Sequence, residues 1–317
     1  MTSVSPLATW GATKEVLDAH GLATKHALGQ NFLVNDGVLA HILELSEARA
    51  DDRVLEVGPG IGTLSLALLP HVGHLTAVEA DKDLPVVLQD TIEGYKDKFT
   101  LFSMDALQLL EDDLRAGVGS PGKVNLVDGF APLSEVFPNK LISNLPYAVA
   151  ATIVLDYFQR FAFIQSATVM VQKEVADRMC ASIGCKDYGA YTVKLRLHAN
   201  PVGRFPVAPG NFFPPPRVDS AVVRFDRIGP DDEFGDLSDD ERRCACIMAD
   251  ASFAARRKTI SNSCKSYFSR YGARYAAVAG QLGSIFEEAG IDPRRRGETL
   301  AISDFVTMGK LLKKIID

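Results

Sequence analysis

Arg53-Val54-Leu55-Glu56-Val57-Gly58-Pro59-Gly60-Ile61-Gly62-Thr63-Leu64-Ser65-Leu66-Ala67-Leu68-Leu69-Pro70 sets the frame for reading the rest of the chain. Arg53 to Val57 reads as a buried strand. Gly58 to Gly62 reads as a tight turn, and Thr63 to Leu69 as a helix that ends near Pro70. Glycines in that context let the backbone approach a ligand closely, and the helix start behind them offers free N–H groups. Working outward, His74 to Val78 is a second strand closed by Glu79. Leu84 to Ile92 is helical, and Phe99 to Phe102 is a third strand leading to Asp105. Such strand–helix alternation predicts a parallel, doubly wound sheet of the Rossmann-like α/β kind.

Upstream, Thr13 to His20 has helical spacing. Leu28-Gly29-Gln30-Asn31-Phe32-Leu33 then precedes a helix marked by Val38, Leu39, Ile42, Leu43 and Leu45. Downstream, residues 116–139 break the alternation with repeated Gly and Pro and read as a long surface excursion. Lys140-Leu141-Ile142-Ser143 reads as a strand end and Ile153 to Phe161 as a helix. Ser166 to Val171 is a strand, and Lys173 to Met179 starts a helix. Tyr191 to Ala199 and Ser220 to Phe225 are read as late strands. Between them, Gly210 to Arg217 forms an aromatic, proline-locked loop. Residues 226–241 are acid-rich and read as a linker. Beyond it, Cys244 to Phe253, Ala276 to Ala289 and Ser303 to Ile316 carry apolar residues at helical spacing. The expected domains are an N-terminal leader (1–25), a nucleotide-binding domain (26–228) and a small all-helical C-terminal domain (229–317).

A chain of 317 residues suits two domains, and an apolar fraction of 47% is ample for packed cores. The net charge of -6 argues at first sight against a nucleic-acid partner. Clustered basic residues can outweigh such a total. Two clusters exist: Arg256-Arg257-Lys258 and Arg294-Arg295-Arg296, both candidates for phosphate contacts. The five cysteines form no C-x-x-C pair and no zinc pattern, so no metal site is expected. The first thirty residues lack a basic stretch followed by an apolar one, and no apolar run is long enough to span a membrane. These features predict a soluble cytoplasmic protein.

The spacing of Gly58, Gly60 and Gly62 is G-x-G-x-G, with Thr at position 63, where a dinucleotide fingerprint would have glycine. It suits S-adenosylmethionine, which has no pyrophosphate to cradle. Glu79, about 20 residues after the turn, is placed to accept hydrogen bonds from ribose hydroxyls. Asp105 is placed to bind an adenine amine. Asn144-Leu145-Pro146-Tyr147, at the end of a later strand, adds chemistry. Alone it is equally an ordinary strand-to-loop turn. Beside a cofactor turn it fits methylation of an exocyclic adenine amine. That amine is a poor nucleophile because its lone pair is conjugated into the ring. The Asn144 oxygen and the Leu145 carbonyl could accept its two hydrogens, Pro146 would hold the turn, and the Tyr147 face would stack on the base. Phe212 or Phe213 could cover the opposite face.

From about residue 13 to 317 the chain resembles the KsgA (RsmA) family of small-subunit ribosomal RNA adenine dimethyltransferases. The resemblance rests on Gly29 to Leu33, Glu56 to Leu64, Glu79 with Asp81, Asp105-Ala106, Asn144 to Tyr147 and Gln172 to Arg178. It rests also on Phe212 to Ala221, Arg256 to Thr259 and Arg296 to Leu300. It implies transfer of two methyl groups from S-adenosylmethionine to N6 of each of two adjacent adenosines near the 3′ end of 16S rRNA, within an immature 30S subunit. The cofactor contacts it implies are Asn31, Leu33, Gly58, Glu79, Asp105 and Asn144, with Gly60 in the same turn. A monomer is expected. Two departures stand out: the long 116–139 excursion, and His26-Ala27 where relatives often carry more basic residues. Other readings are a macrolide-resistance type methyltransferase acting on 23S rRNA, and a 30S assembly factor without catalysis.

Overall fold

The structure is a computed structural model that describes residues 3–22, 30–116, 125–132, 136–270 and 273–316, with the backbone alone for 273–276. The His26-Ala27 departure and residues 117–124 and 133–135 of the 116–139 excursion lie outside the described residues. In chain order the elements begin with α1 (Trp10–Ala19), β1 (Phe32–Leu33), α2 (Asp36–Ser46), β2 (Arg53–Val57), α3 (Thr63–Leu68), β3 (His74–Glu79) and α4 (Leu84–Thr91). They continue with β4 (Phe99–Ser103), α5 (Glu111–Ala116), β5 (Lys140–Asn144), α6 (Ala150–Arg160), β6 (Ser166–Gln172) and α7 (Lys173–Met179). Then come α8 (Ala190–Arg196), β7 (Ala199–Val207), β8 (Phe212–Phe213), β9 (Ser220–Arg227), α9 (Asp239–Phe253), α10 (Ile260–Phe268), α11 (Ala273–Glu288) and α12 (Ile302–Ile316).

Seven strands form one sheet in the order β4-β3-β2-β5-β6-β9-β7. The β2–β3, β3–β4, β2–β5 and β5–β6 pairs are parallel, and β9 runs antiparallel to β6. The doubly wound sheet read from the sequence is therefore present. β2, β3 and β4 step outward in one direction, and the chain then returns to place β5 on the other side of β2. Ligands of open α/β sheets bind at such a reversal, beyond the carboxyl ends of the strands. The glycine turn follows β2, and Asn144 ends β5, so both lie at that point.

The chain folds as two compact units, residues 1–176 with 201–227, and 177–200 with 228–317. In the first unit the N-terminal segment, read from the sequence as a leader, is part of the packed body. Asp36 accepts the Val4 and Ser5 N–H groups. Leu7 and Leu17 bury against Phe32, Ile61 and Leu66. A two-residue ladder, absent from the sequence reading, pairs Phe32 with Phe213 and Leu33 with Phe212. The start of the excursion's described part lies along β4: Ser103 N–H donates to Asn125 O and Val127 N–H to Leu101 O.

The second unit is helical, built on α9, α10, α11 and α12 around Met248, Cys264, Phe268, Phe305 and Leu312. Residues 177–200, assigned by sequence to the nucleotide-binding domain, group with it instead. Tyr191 to Ala199, read as a strand, is α8 from Ala190 to Arg196, and the strand begins only at Ala199. The alternating pattern misled because Thr192, Val193 and Leu195 are all buried, while Val193 and Leu197 share one helical face in this core. α10 also went unread, since Ser261-Asn262-Ser263 dilutes its apolar spacing. Its burial at Ile260, Cys264 and Phe268 is nonetheless helical, and Thr259 caps it through Asn262 N–H.

α12 crosses α9 at Gly309. A Cβ there would lie 2.5 Å from Ala245 N and 2.7 Å from Ala245 Cα, backbone atoms that have no room to yield. Gly309→Ala is expected to destabilise the protein by about 1–3 kcal/mol, the range for overpacking a tight interior. Chemical denaturation of both proteins checks this; an unchanged midpoint would contradict the close crossing.

Candidate active site

Gly58, Gly60 and Gly62 all adopt positive φ, at 70°, 62° and 90°. Side chains are strained there. Space is tight as well at Gly60, where a Cβ would lie 3.1 Å from the Phe32 ring, while one on Gly58 would meet Pro146 at an ordinary contact distance of 3.5 Å. The turn is thus pressed between the β1 aromatic on one side and the tetrapeptide on the other. A cavity of about 620 Å³ opens there, bordered by Asn31, Leu33, Gly58, Gly60, Glu79, Asp105, Asn144, Leu145, Pro146 and Tyr147. That volume falls in the roughly 300–1,000 Å³ range of small-molecule sites. Every cofactor and tetrapeptide residue singled out from the sequence therefore borders one cavity.

Each polar group is held. Asn144 Nδ2 donates to Asn31 O at 3.3 Å, which leaves Oδ1 as the acceptor. Leu145 N–H donates to Met170 O, while its carbonyl accepts no bond among the described residues. The Tyr147 hydroxyl is 2.6 Å from Ser220 Oγ at the start of β9, which fixes the ring. Glu79 accepts Gly60 N–H at 3.3 Å and Asp81 N–H at 2.8 Å. Asp81 in turn accepts from Gln30 Nε2 at 2.7 Å. Asp105 caps the short turn after β4 by accepting Leu107 N–H.

Residues that the sequence reading did not place in the site also border the cavity, among them Glu56, Thr63 and Gln172. Glu56 is 1% exposed and accepts a 2.6 Å bond from Ser65 Oγ. Thr63 Oγ1 is buried with no partner among the described residues, a polar atom at the wall that a ligand could satisfy. A glutamate inside an apolar strand was the available signal for Glu56, since a buried acid needs a reason.

Phe212 requires a correction. It is 1% exposed and belongs to the sheet core with Val207 and Val222, so its ring cannot cover a base. Strand alternation in β8 sends Phe212 inward and Phe213 the other way. Phe213 is half-buried against Trp10, with ring centroids 4.4 Å apart and edge-to-face, and it does not border the cavity. Tyr147 is thus the one proposed stacking residue among the three that borders it.

The electrostatics are one-sided. Glu56, Glu79 and Asp105 border the cavity, and no Lys, Arg or His does so among the described residues. Burial first, then the charge of Glu79, pushes the Glu56 carboxyl up to about 8. Burial pushes Glu79 up to about 7, against the hydrogen bonds from Asp81 and Gly60 that favour its ionised form. A concave, acid-lined site attracts cations and repels a pyrophosphate.

The two basic clusters meet in the helical unit. Ile260 N–H donates to Arg295 O and Ser261 N–H to Pro293 O, which lays segment 256–261 beside 293–296. Arg256 is tied to the Lys186 and Tyr188 carbonyls. Arg295 is held by the Thr299 carbonyl and by Asp304, and Arg294 by Asp292. Arg257, Lys258 and Arg296 are exposed, with no ion pair among the described residues.

The sheet order and the cavity at its reversal define a methyltransferase of the S-adenosylmethionine-dependent fold class. Two solved structures share the architecture: a dimethyladenosine transferase from Plasmodium falciparum (TM-score 0.68, 21% identity, covering 90% of this chain and 98% of that one) and the 23S rRNA methyltransferase ErmE (TM-score 0.58, 21% identity, covering 88% and 98%). The family profile described as ribosomal RNA adenine dimethylase matches residues 21–307. Proteins named ribosomal RNA small subunit methyltransferase A are similar over almost the whole chain. The one from Clostridium botulinum (strain Okra / Type B1) is 35% identical over 305 residues, 96% of this chain and 98% of its own length. The one from Staphylococcus aureus (strain Newman) is 35% identical over 309 residues, 97% and 96%. The chain belongs to the ribosomal RNA adenine dimethylase family, as its motifs led one to expect, and it is an enzyme of that kind.

The raised Glu56 has a consequence for stability. Its ordinary value is 4.5 and its folded value about 8. The unfolded chain therefore ionises first, and the group disfavours folding increasingly as pH rises from 4.5 to 8. Cofactor-free Glu56→Gln is expected to unfold at a higher denaturant concentration than wild type at pH 8, with the gap closing towards pH 4.5. A constant gap across that window would show that burial does not perturb the carboxyl.

Proposed function

We propose that the protein transfers methyl groups from S-adenosylmethionine to N6 of two adjacent adenosines near the 3′ end of 16S rRNA, giving N6,N6-dimethyladenosine in an immature 30S subunit. The observation that carries this reading is the Asn144 amide: its Nδ2 is committed to Asn31 O, so Oδ1 faces a reaction as an acceptor only. The small-subunit substrate rests on the names of the relatives that span the chain.

The cofactor fits the cavity by its charge. It is a cation at sulfur and at its amino group, and the wall offers Glu56, Glu79 and Asp105 without a cationic side chain among the described residues. Glu79 would accept from the ribose hydroxyls, Asp105 from the adenine amine, and Asn31, Leu33, Gly58 and Gly60 would line the remainder. When bound, S-adenosylmethionine supplies an electrophilic methyl group. Asn144 Oδ1 accepts one N6 hydrogen of the target base and the Leu145 carbonyl accepts the other. Together they orient the nitrogen lone pair for in-line displacement. Tyr147, anchored at Ser220, stacks on the base and offsets part of the cost of extruding it, with a contribution of roughly 1–3 kcal/mol. The alkylated nitrogen then loses its proton to water.

The chemistry is assigned to the first unit, residues 1–176 with 201–227, and the contact with the ribosomal particle to the second, residues 177–200 with 228–317. Arg257, Lys258 and Arg296 are the side chains left for phosphates, while Arg256, Arg294 and Arg295 are partly committed within the fold. The protein acts as a monomer in the cytoplasm. No helix among the described residues is long and apolar enough to cross a membrane.

Labelled methyl transfer to undermethylated 30S subunits, with 50S subunits alongside and nucleoside analysis of the product, tests the reading. Dimethyladenosine confined to 30S is expected; label in 23S rRNA would move the activity to the resistance type, and binding without transfer would leave an assembly factor. Asn144→Ala should bind cofactor nearly normally and transfer at least ~100-fold more slowly, the scale of one lost oriented polar group. Wild-type turnover by that variant would remove Asn144 from the mechanism. Complex formation with 30S should weaken steeply as salt rises, and less steeply in a variant with Arg257, Lys258 and Arg296 neutralised. Equal salt dependence of the two proteins would clear those residues of phosphate contact.

A further inference from the structure

We propose that Trp10 is a second base-stacking platform for the RNA substrate: its exposed indole receives a nucleotide next to the adenosine held in the cavity. The inference rests on the reading of that cavity as the place where an adenine of RNA is methylated.

Trp10 is the only tryptophan of the chain and is 54% exposed. Among the described residues no Phe or Tyr is as open. The ring is nonetheless held in place. It opens α1, whose first turn is capped by Thr9 accepting Ala12 N–H. The helix is seated by the Thr13 hydroxyl, which donates to Leu7 O, and by the buried Leu17. The indole meets the Phe213 ring edge-to-face at 4.4 Å between centroids. Such a contact covers no more than one face of an indole, and the open half of the residue suits a flat partner.

The position of this ring ties it to the cavity. Phe213 pairs across the small ladder with Phe32, and Phe32 borders the cavity beside Gly60. One ring contact and one strand pair therefore separate Trp10 from the cavity wall. From Phe213 the proline-locked loop runs on to Ser220, whose hydroxyl holds Tyr147 inside the cavity. The segment 213–220 thus carries the support of one aromatic at each end, Tyr147 within the cavity and Trp10 outside it. Lys14 is exposed four residues after Trp10, on the same face of α1, and Arg217 is exposed within the loop. Aromatic faces interleaved with cations are the chemistry that binds single-stranded nucleic acid.

The substrate needs such a support. Drawing one adenosine into the cavity removes the stacking partner of its neighbour. An indole face restores that stacking whichever base lies on it, so one platform serves as each of two adjacent adenosines enters in turn.

Steady-state methylation of undermethylated 30S subunits by wild type, Trp10→Ala and Trp10→Phe tests the assignment. The KM for 30S should rise about 10-fold in Trp10→Ala, and Trp10→Phe should return it to within about 3-fold of wild type. Calorimetric affinity of Trp10→Ala for S-adenosylmethionine should be unchanged, since the indole does not border the cavity. With p-benzoylphenylalanine in place of Trp10, irradiation on the same particles should cross-link the protein to 16S rRNA beside the dimethylated pair. Equal KM values for the three proteins would overturn the inference. So would a rise in KM that comes with lost cofactor affinity and is not recovered by Trp10→Phe, which is the mark of a packing residue. A cross-link to a ribosomal protein, or none at all, would overturn it too. In each of these cases methyl transfer by wild type leaves the proposed function standing. Wild type that neither binds nor methylates 30S would remove the inference and the proposed function together.

Discussion

The contact of the glycine turn with its two neighbours governs this structure. Gly58 lies against Pro146 and Gly60 against Phe32, with backbone angles open only to glycine without strain. A single added methyl at Gly60 would push the β1 aromatic away. β1 pairs with β8, so that displacement would pass to the proline-rich loop. The same turn feeds its Gly60 N–H to Glu79 and starts α3 at Gly62. Cofactor floor, tetrapeptide and N-terminal motif are thus held in one geometry by the absence of side chains at three positions.

That geometry places acids where a soluble fold would avoid them. Glu56 and Glu79 are both buried, and the charge of Glu79 adds to burial in raising the affinity of Glu56 for protons. Such burial costs stability, as it does at many active sites. Ser65 and the Gly60 and Asp81 amides hold the carboxyls in place without neutralising them. The wall is therefore preorganised in position and acidic, with no Lys, Arg or His among the described residues that border it.

The helical unit solves a separate problem. The chain is acidic overall, at a net charge of -6, yet its proposed partner is a polyanion. Backbone hydrogen bonds from Ile260 and Ser261 bring together two basic segments some forty residues apart. Acids within the same unit, Asp292, Glu298 and Asp304, occupy three of the six cations. The remainder, Arg257, Lys258 and Arg296, stay exposed. The residues proposed to bind phosphate are in this way separated from those that shape the surface on which they stand.

Local pattern was enough for much of this. The strand–turn–helix around Gly58, the acids at the ends of the next strands and the tetrapeptide after β5 were all legible, because a parallel strand is a short apolar run and its ligand-bearing residues sit at its carboxyl end. The sequence by itself therefore determined the fold class, the family and about half of the cavity wall. Three things were settled only in tertiary structure. α8 was hidden by alternation, since burial on several sides removes the helical period. Phe212 and Phe213 are chemically alike, and only the register with β1 sends the first into the core and turns the second towards Trp10. Glu56 looked like one more residue of a strand. Its burial, its lone serine partner and its closeness to Glu79 come from atoms distant in sequence, and the energy of a charge is set by everything around it.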